Sequence, residues 1–380
     1  MNITVLGAGL VGAPMAKDLS GDADTHVTVA DVNATALSAL AAIEGLETVQ
    51  TDLADKRSLT RLLERTDMVV NAVPGHMGFA TLKTIIEMGK DVIDIAFCPE
   101  DPFSLNSLAV EKGVTAVVDC GVAPGMSNML VGHCHSRLDR TDSAIIYVGG
   151  LPVIRHWPYE YKAVFSPSDV IEEYIRPAFY VENGALVQRP ALSDAEYIEF
   201  EGIGTLEAFN TDGLRSLYKT LPIPNMKEKT LRYPGHIQKI ALLRASGFFS
   251  TDPIQVNGVT IRPLDVTSKL LFPMWQLKEG EVDITVMKIV VEGQKAGQRT
   301  RMVWTLNDRY DPQTRVHSMA RTTGYTATVA ARLLRQGKFD QTGVIAPETI
   351  GADAACMDFM LNGLAERGVV YKEAVETRPL

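Results

Sequence analysis

The stretch 1–19 reads MNITVLGAGLVGAPMAKDL, a short apolar strand followed by a glycine-rich turn and the start of a helix. These three elements in this order are typical of a dinucleotide-binding fold. Gly7 makes the tight turn, Gly9 lets the backbone approach a pyrophosphate, and Gly12 lets the helix pack closely on the strand. The helix offers its free N–H groups and positive dipole end to the phosphates. The alternative is a flavodoxin-like sheet whose glycine turn binds no dinucleotide.

A second strand, residues 26–30, ends in Asp31, about twenty residues after the glycine turn. An acid at this position can bind the ribose hydroxyls of a dinucleotide. Its carboxylate would repel the 2′-phosphate of NADP, and the following Val32 and Asn33 supply no arginine to hold that phosphate. The sequence therefore predicts NAD as the cofactor.

Length and composition are those of an ordinary globular protein. The 380 residues are enough for two domains, and 46% hydrophobic with 22% charged residues is a usual balance. The net charge of −9 comes without a basic cluster, which argues against nucleic acid and anionic membranes as partners. Because no apolar run approaches the roughly 18 residues of a membrane span, and residues 1–6 form a core strand, we expect a cytoplasmic protein.

Four cysteines, Cys98, Cys120, Cys134 and Cys356, are scattered without CxxC pairing. This spacing indicates neither a zinc site nor a disulfide framework, and we expect no metal. Buried free thiols are the simpler interpretation. Cys120 differs from the others because it ends a strand that should point at the cofactor.

Strands and helices alternate over roughly the first 120 residues, which predicts a six-stranded, doubly wound parallel sheet. From 142 to about 308 the strands are longer and alternate polar with apolar residues, as in a mixed or antiparallel sheet. Residues 282–291 and 300–306 read as an antiparallel pair around 293–297, a loop longer than the commonest hairpins.

Helical periodicity over 314–336 and 353–366 suggests that the chain returns to the first domain near residue 310. We therefore predict an α/β protein with a Rossmann domain made of 1–121 and about 310–380, and an α+β domain over 122–309. One face of the second sheet is available for a pocket or a dimer interface, so we expect a homodimer.

The carboxyl ends of the parallel strands should lie beside the cofactor, by the general rule for such sheets. Asp52 falls where this kind of sheet approaches the adenine, although a helix cap is an equal interpretation. The predicted cofactor-binding residues are Gly7, Gly9, Leu10, Val11, Gly12, Asp31, Val32, Asp52, Leu53, Asn71, Val73, Pro74, Asp119, Cys120 and Gly121.

The segment 119–128, DCGVAPGMSN, follows the sixth strand. Gly121 and Gly125 give its backbone freedom, and Pro124 stops a strand and can open a helix. A loop of this shape at the carboxyl end of the sheet is predicted to face the substrate. The alternative is a hinge into the second domain.

Several motifs resemble the saccharopine dehydrogenase superfamily, over nearly the whole chain. They are the opening fingerprint, NAVP at 71–74, the APG loop at 123–125, VGGLP at 148–152, Tyr161-Lys162 and GVIAPE at 343–348. The segments most similar to the lysine 6-dehydrogenase branch are TDGL at 211–214, EKTLRYPGH at 228–236 and DITVM at 283–287. Members of that branch oxidise the ε-amine of lysine with NAD and release ammonia and a semialdehyde that cyclises.

Two departures separate the chain from the glutamate-forming saccharopine reductases. Their loop typically reads DPGIDH where this chain has APGMSN at 123–128, and their NRDS segment is NTDG at 210–213. An arginine that could clamp a carboxylate is thereby lost, which fits a substrate with fewer carboxylates than saccharopine.

The resemblance also assigns residues to the site. It places Phe165 near the nicotinamide, where a plain core aromatic is the alternative. Together with the APG loop, it implies a substrate-binding set of Ala96, Phe97, Pro124, Gly125, Thr211, Asp212 and Gly213.

Oxidation of an amine requires its neutral form, because hydride leaves the carbon only when the nitrogen has lost its extra proton. A free ε-ammonium has a pKa near 10.4, so deprotonation at pH 7 costs roughly 4 to 5 kcal/mol. A general base, partial desolvation or the positive nicotinamide ring can supply this. We rank His236 first as the base, followed by Asp94 and Lys162, although a histidine in a Tyr-Pro-Gly-His turn can equally be structural.

Arg232 and Arg215 are candidates for binding the α-carboxylate of the substrate, and Asp212 for its α-ammonium; each can instead form a surface ion pair. The predicted function is NAD-dependent oxidative deamination of the lysine ε-amine in the cleft between the domains. Reductive condensation of an amine with an aldehyde, as in saccharopine or carboxynorspermidine formation, is the alternative within the superfamily. An NAD-sensing or scaffold protein without activity is the alternative outside enzymes.

Overall fold

The first domain is built on a parallel sheet in the computed structural model, which describes residues 1–278 and 280–379. Its early strands are β1 (Asn2–Leu6), β2 (His26–Asp31), β3 (Leu46–Gln50), β4 (Met68–Asn71), β5 (Asp91–Asp94) and β6 (Thr115–Val117). The connecting helices are α1 (Gly12–Ser20), α2 (Ala34–Ser38), α3 (Lys56–Leu63), α4 (Gly75–Glu87) and α5 (Asn106–Lys112), with a 3-10 turn at Pro102–Leu105.

Alternate side chains along each strand enter different hydrophobic clusters. In β4, Met68 and Val70 join one cluster and Val69 joins the other. Both faces of the sheet are therefore covered, as the short and almost wholly apolar strands require. The strand order β3-β2-β1-β4-β5-β6 confirms the predicted doubly wound fold. It reverses between β1 and β4, and the crevice at that reversal is where such sheets bind ligands.

The remaining elements follow in chain order. They are α6 (Met126–Ser136), β7 (Arg140–Pro152), α7 (Pro167–Ile175), β8 (Ala178–Glu182), β9 (Ala185–Arg189), β10 (Glu196–Phe200), β11 (Gly204–Asn210), α8 (Leu217–Thr220), β12 (Met226–Arg232), α9 (His236–Ala245), β13 (Ile254–Val256), β14 (Val259–Ile261), α10 (Pro263–Trp275), β15 (Asp283–Lys295), β16 (Gln298–Arg309), α11 (Ser318–Arg335), β17 (Gly343–Ile345), α12 (Pro347–Ala352), α13 (Ala354–Glu366) and β18 (Tyr371–Pro379).

The second domain carries a mixed sheet with the order β10-β11-β12-β7-β15-β16-β18. β7 and β12 run parallel, and the other neighbouring pairs along this path are antiparallel. The hairpin of β8 and β9 attaches to β12, and β13 pairs with β14 in a separate small sheet. The mixed sheet confirms the predicted α+β character of this region.

The hairpin of β15 and β16 is tighter than the sequence suggested. The two strands stay paired as far as Lys295 and Gln298, so that only Ala296 and Gly297 form the turn. Both residues have positive φ, 49° and 74°, as a two-residue turn of the type I′ class requires. The expected loop over 293–297 is wrong, because the polar residues before Ala296 continue the strand.

After residue 310 the chain contributes to both sheets. β17 adds a seventh strand to the parallel sheet beside β6, whereas β18 pairs with β16 over Leu306 to Gln298. The expectation that 310–380 belongs to the first domain therefore fails for its last strand. β18 is polar throughout, so no periodicity marks it, and it instead covers what would be an open edge of the second sheet.

Helix α11 is buried along most of its length and packs against α1, α13 and β15. The fully buried Asp283 at the start of β15 accepts hydrogen bonds from the N–H groups of Ser318 (2.7 Å) and Met319 (3.0 Å). A carboxylate at a helix N-terminus satisfies free donors and complements the dipole. This contact joins the second sheet to the helix that lies beside the crevice.

Candidate active site

A cleft between the domains encloses a cavity of about 490 Å³. The first-domain wall is made by the turns that follow β1, β4, β5 and β6, and the second-domain wall by β7, α7, β12 and the segment after β11. This is the crevice at the carboxyl ends of the strands, and its volume suits a small-molecule site.

The glycine turn after β1 leaves space for a ligand at one position. A Cβ on Gly12 would lie 2.0 Å from the carbonyl oxygen of Gly7, and one on Gly7, whose φ is +102°, would lie 2.7 Å from that of Ala72. These two glycines are required for packing. At Gly9, by contrast, no described atom lies within 4 Å of the Cβ position. Its backbone therefore faces open space, as the approach of a pyrophosphate requires.

Asp31 forms the neighbouring part of the wall. Its Oδ2 accepts a hydrogen bond from the Ala8 N–H (2.6 Å), and its Oδ1 accepts one from the Asn33 N–H (2.8 Å). The two bonds hold the carboxylate at the cavity, where ribose hydroxyls can donate to it. Val32 is 66% exposed and lies outside the cavity wall, which the predicted set did not anticipate.

The structure brings most of the predicted cofactor-binding residues to this one cavity. Those that line it are Gly7, Gly9, Leu10, Val11, Gly12, Asp31, Val73, Pro74, Asp119, Gly121 and Phe165. Phe165 arrives from the loop between β7 and α7, so the aromatic that the resemblance suggested does face the cleft. The residues named for the dinucleotide thus form one continuous surface with the glycine turn.

Four other predicted cofactor residues are not part of that surface: Asp52, Leu53, Asn71 and Cys120. Asp52 accepts a hydrogen bond from the Ala54 N–H (2.9 Å) and shapes the turn before α3. This is closer to the alternative interpretation of Asp52 as a helix cap. Leu53 packs in the hydrophobic core. Asn71 donates to the buried Asp94 carboxylate (3.1 Å), and burial raises the pKa of the Cys120 thiol. None of the four lines the cavity, so their contact with the cofactor stays a prediction.

His236, ranked first as the general base, is a structural histidine in this fold. Its Nδ1 pairs with the Tyr159 carbonyl oxygen (2.9 Å) and its Nε2 with the Tyr174 hydroxyl (2.9 Å). Burial, reinforced by the nearby Arg232 charge, lowers its pKa to about 3. Because both ring nitrogens are used inside the second domain and the side chain is off the cavity wall, the assignment of His236 as the base is wrong.

Lys162 and Asp94, the other two candidate catalytic groups, do not line the cavity, so the geometry does not support either as the base. The Lys162 ammonium donates to the Gln276 carbonyl (3.1 Å) and lies 3.4 Å from a Glu281 carboxylate oxygen. Asp94 accepts a hydrogen bond from the Ala96 N–H (2.7 Å), and burial raises its pKa to about 8. Asp94 therefore holds the turn after β5, which forms part of the cavity wall.

Arg215 is bound to the other domain and is not available for a substrate carboxylate. Its Nε and Nη2 donate to the two carboxylate oxygens of Asp119 (3.0 and 3.2 Å), and Nη2 also donates to the Cys98 carbonyl (3.0 Å). The guanidinium lies outside the cavity wall. This two-point ion pair joins the end of β6 to the segment before α8, so it fixes the width of the cleft.

The predicted substrate-binding residues divide in the same way. Those that line the cavity are Phe97, Pro124, Thr211, Asp212, Gly213 and Arg232. Ala96 lies behind the wall, where its side chain leaves only 2.7 Å to a Cβ at Gly78. Gly125 has φ +133°, and a Cβ there would lie 2.0 Å from the Gly121 carbonyl oxygen, so this glycine closes the loop on itself. Ala96 and Gly125 support the shape of the site and are not among its lining residues.

Glu228, which had no predicted role, lines the second-domain wall of the cavity. It is only 4% exposed, and its Oε2 accepts a hydrogen bond from the Thr211 hydroxyl (2.5 Å), which also pairs with the Thr230 hydroxyl (2.8 Å). Burial raises its pKa to about 8. A Cβ on Gly213 would lie 2.2 Å from the Glu228 carboxyl carbon, so Gly213 makes the room that this side chain occupies.

The second-domain side of the cavity is acidic. Its carboxylates are Asp169, Glu172, Glu173, Asp212 and Glu228, and the guanidinium groups among its lining residues are Arg176 and Arg232. Arg232 is already engaged, because it donates to Glu173 (2.8 Å) and to the Tyr174 hydroxyl (3.2 Å). Burial raises the pKa values of Glu173 and Asp212. The surplus of carboxylates makes this half of the cavity suited to a cation.

The acidic cavity residues that were not predicted differ in how clearly the sequence indicates them. Asp169, Glu172 and Glu173 lie at helical spacing on α7, so one acidic helix face was visible in the sequence. Glu228 lies in the charged run Lys-Glu-Lys at 227–229, which reads as an exposed strand, yet β12 is an inner strand with Glu228 and Lys229 both buried.

Within residues 1–278 and 280–379, no helix is both long and apolar enough to cross a membrane. Among the described side chains, no group of three or more His, Cys, Asp or Glu is arranged to hold a metal ion.

The fold and the cleft define a two-domain dinucleotide-binding protein with an acidic half-site next to the dinucleotide cradle. The chain belongs to the saccharopine dehydrogenase family, as its motifs suggested. Residues 3–117 match the saccharopine dehydrogenase NADP binding domain, and residues 121–369 match the saccharopine dehydrogenase C-terminal domain. The first of these matches indicates a nicotinamide dinucleotide as the cofactor.

Several curated proteins are similar to the chain. Saccharopine dehydrogenase (NADP(+), L-glutamate-forming) of Saccharomyces cerevisiae is 24% identical, with 69% of this chain and 61% of that protein covered. Alpha-aminoadipic semialdehyde synthase of Arabidopsis thaliana is 26% identical, with 61% of this chain and 23% of that protein covered. In both cases the match spans less than two thirds of the relative. Carboxyaminopropylagmatine dehydrogenase of Synechocystis is 23% identical, with 98% and 97% covered.

A solved structure of apo saccharopine dehydrogenase (L-Glu forming) from Saccharomyces cerevisiae has the same fold. Its TM-score is 0.81 at 20% sequence identity, with 99% of each chain covered. At this identity the likeness concerns architecture, and it confirms the combination of a parallel Rossmann-like sheet with a second mixed sheet.

Proposed function

We propose that this protein is an NAD-dependent dehydrogenase that oxidises the ε-amine of L-lysine to the 6-semialdehyde and releases ammonia. The observation that carries the proposal is the buried carboxylate of Glu228, set in an acidic half-cavity that adjoins the glycine turn. A cationic amine is the ligand that such a pocket attracts.

The cofactor proposal rests on the chain's own turn. The open backbone at Gly9 and the N-terminus of α1 suit the pyrophosphate, and Asp31 suits the ribose hydroxyls. Asp31 disfavours a 2′-phosphate, and residues 32–36 contain no Lys or Arg. This supports NAD as the preferred cofactor. When bound, NAD supplies the acceptor for the hydride.

Glu228 is the group proposed to take the proton from the substrate ammonium. A base acts best when its pKa lies near the working pH, and a value of about 8 meets that condition. The ammonium proton passes to the carboxylate, the neutral amine loses hydride from its carbon, and water converts the resulting imine to aldehyde and ammonia. The Thr211 hydroxyl bonded to Oε2 holds the carboxylate in place during the transfer.

The second candidate is reductive condensation of an amine with an aldehyde. Its support is the alignment of nearly the full chain with carboxyaminopropylagmatine dehydrogenase, together with the saccharopine dehydrogenases among the similar proteins. An acidic pocket suits the amine partner of that reaction as well. The two candidates differ in direction, since one reduces the cofactor and the other oxidises it.

One pair of assays tests the proposal. Purified protein with NAD and L-lysine alone should form NADH and an equal amount of ammonia, at a rate that rises towards alkaline pH. A parallel reaction with NADH or NADPH, an aldehyde and an amino acid should show little consumption of the reduced cofactor. Consumption in the second assay without NADH formation in the first would replace the proposal with reductive condensation.

A further inference from the structure

Arg176, which follows the last residue of α7, lines the cavity and has a guanidinium nitrogen without a hydrogen-bond partner among the described residues. Its Nε donates to Glu172 (2.8 Å), while the buried Nη1 has no hydrogen-bond partner among the described residues. The side chain is 17% exposed and lines the cavity. A buried guanidinium nitrogen without an acceptor is costly, so a ligand that brings an acceptor to this guanidinium group would relieve that cost.

The orientation of Arg176 is fixed by Phe97, another residue of the cavity wall. The guanidinium carbon lies 5.0 Å from the centre of the Phe97 ring, and that of Arg215 lies 4.7 Å from the same ring. Arg215 donates hydrogen bonds to Asp119, and Arg232 donates one to Glu173. A planar group held on an aromatic ring is pre-organised for a planar acceptor such as a carboxylate.

Carboxylates lie in the electrostatic surroundings of Arg176. Burial raises the pKa values of Asp169 and Asp212, and the charge of Arg176 opposes the rise in both. A cationic donor beside buried carboxylates is the complement of a zwitterion, in which a carboxylate and an ammonium share one carbon. A plain diamine would leave the Arg176 donor unused.

We propose that Arg176 binds the α-carboxylate of the substrate through its guanidinium group, with Asp212 taking the α-ammonium. The assignment deepens the proposed function, because it makes an α-amino acid, and not a simple diamine, the substrate class. It also moves carboxylate recognition away from Arg215, which pairs with Asp119 outside the cavity wall, and from Arg232, which pairs with Glu173 and Tyr174. Arg176 is then a specificity-determining residue.

The test compares Arg176→Gln with wild type on two substrates and one non-reacting ligand. With NAD, kcat/KM for L-lysine should fall about 10- to 100-fold, the effect of losing a charge-assisted hydrogen bond, whereas kcat/KM for 1,5-diaminopentane should stay the same or rise. L-norleucine keeps the α-amino-acid group and lacks the second amine. Its binding to the NAD-loaded protein, measured by calorimetry, should weaken by a similar factor.

Arg262→Gln is the matched control, because Arg262 forms an exposed pair with Asp265 and lies outside the cavity wall. It should change none of the three measurements. Arg176→Lys retains the charge, and should give a smaller loss of norleucine binding if Arg176→Gln fails to fold. Equal losses for lysine and the diamine, or wild type without affinity for norleucine, overturn the assignment. Norleucine binding that depends on Arg176 upholds it even if lysine is not oxidised, which separates it from the proposed reaction.

Discussion

Glu228→Gln tests whether Glu228, and not another buried acid of the fold, is the general base. Glutamine keeps the shape of the side chain and can still accept the Thr211 hydrogen bond, but it cannot take a proton from a substrate. Removal of a general base typically costs about 10²- to 10⁴-fold in rate. We therefore expect kcat/KM with lysine and NAD to fall within that range, and the remaining activity to lose the alkaline rise associated with a group of pKa about 8.

The same substitution, which should lower activity, should raise the free energy of unfolding at alkaline pH. Burial raises the pKa of Glu228 from 4.5 to about 8, so between those values the folded protein keeps a proton that the unfolded chain has released. Stability is thus lost as pH rises through this window. By pH 9 this shift corresponds to a loss of up to about 5 kcal/mol in the free energy of unfolding. Glutamine does not titrate, so the variant does not lose this stability. Glu228→Gln should therefore be more stable than wild type at pH 9 and similar to it at pH 4.

Urea unfolding of the apoprotein at the two pH values measures this difference, and the NADH assay measures the rate. Glu207→Gln is the matched control, because Glu207 is buried, accepts hydrogen bonds from the Gly235 N–H (3.0 Å) and Gln238 (3.0 Å), and lies outside the cavity wall. It should leave the alkaline rise in place. A Glu228→Gln protein with wild-type kcat/KM and an unchanged pH profile would refute the reasoning.

Three further substitutions test other parts of the site. Asp31→Ser should move the ratio of kcat/KM for NAD over NADP about tenfold or more towards NADP, because a charge opposing the 2′-phosphate is removed; an unchanged ratio contradicts this. Asp119→Asn leaves Arg215 buried without its ionic partner, so the free energy of unfolding measured in urea should fall by about 3 to 5 kcal/mol. The control Lys56→Gln breaks an exposed ion pair and should lower it by about 1 kcal/mol or less. His236→Gln should lower Tm yet keep the pH profile of kcat/KM, because a group with pKa about 3 does not titrate in the active range.

Dinucleotide binding was readable from the sequence because its signals are local. The strand, the three glycines and the following helix are contiguous, and the acid of the second strand is set by the length of one βαβ unit. Each glycine has its reason within a few residues or one neighbouring strand, as the contacts of Gly7 and Gly12 show. The predicted residues that do not line the cavity are Asn71, at the end of β4, the loop residues Val32, Asp52 and Leu53, and Cys120 after β6.

The catalytic side was decided by tertiary structure. His236 and Glu228 are eight positions apart on one strand and the helix that follows it, yet burial lowers the pKa of the first to about 3 and raises that of the second to about 8. Which of them meets the cavity depends on where β12 lies in the sheet and on the packing of α7 across it.

The sequence by itself determined the parallel sheet, the nucleotide turn and the family, since periodicity and glycine spacing act through neighbouring residues. The tertiary structure alone decided which guanidinium nitrogen lacks an acceptor and which carboxylates line the cavity. Arg215 is occupied by Asp119, 96 positions away in the chain. The physical reason is that the charge and hydrogen bonding of a side chain depend on everything packed around it, and those neighbours come from distant parts of the chain.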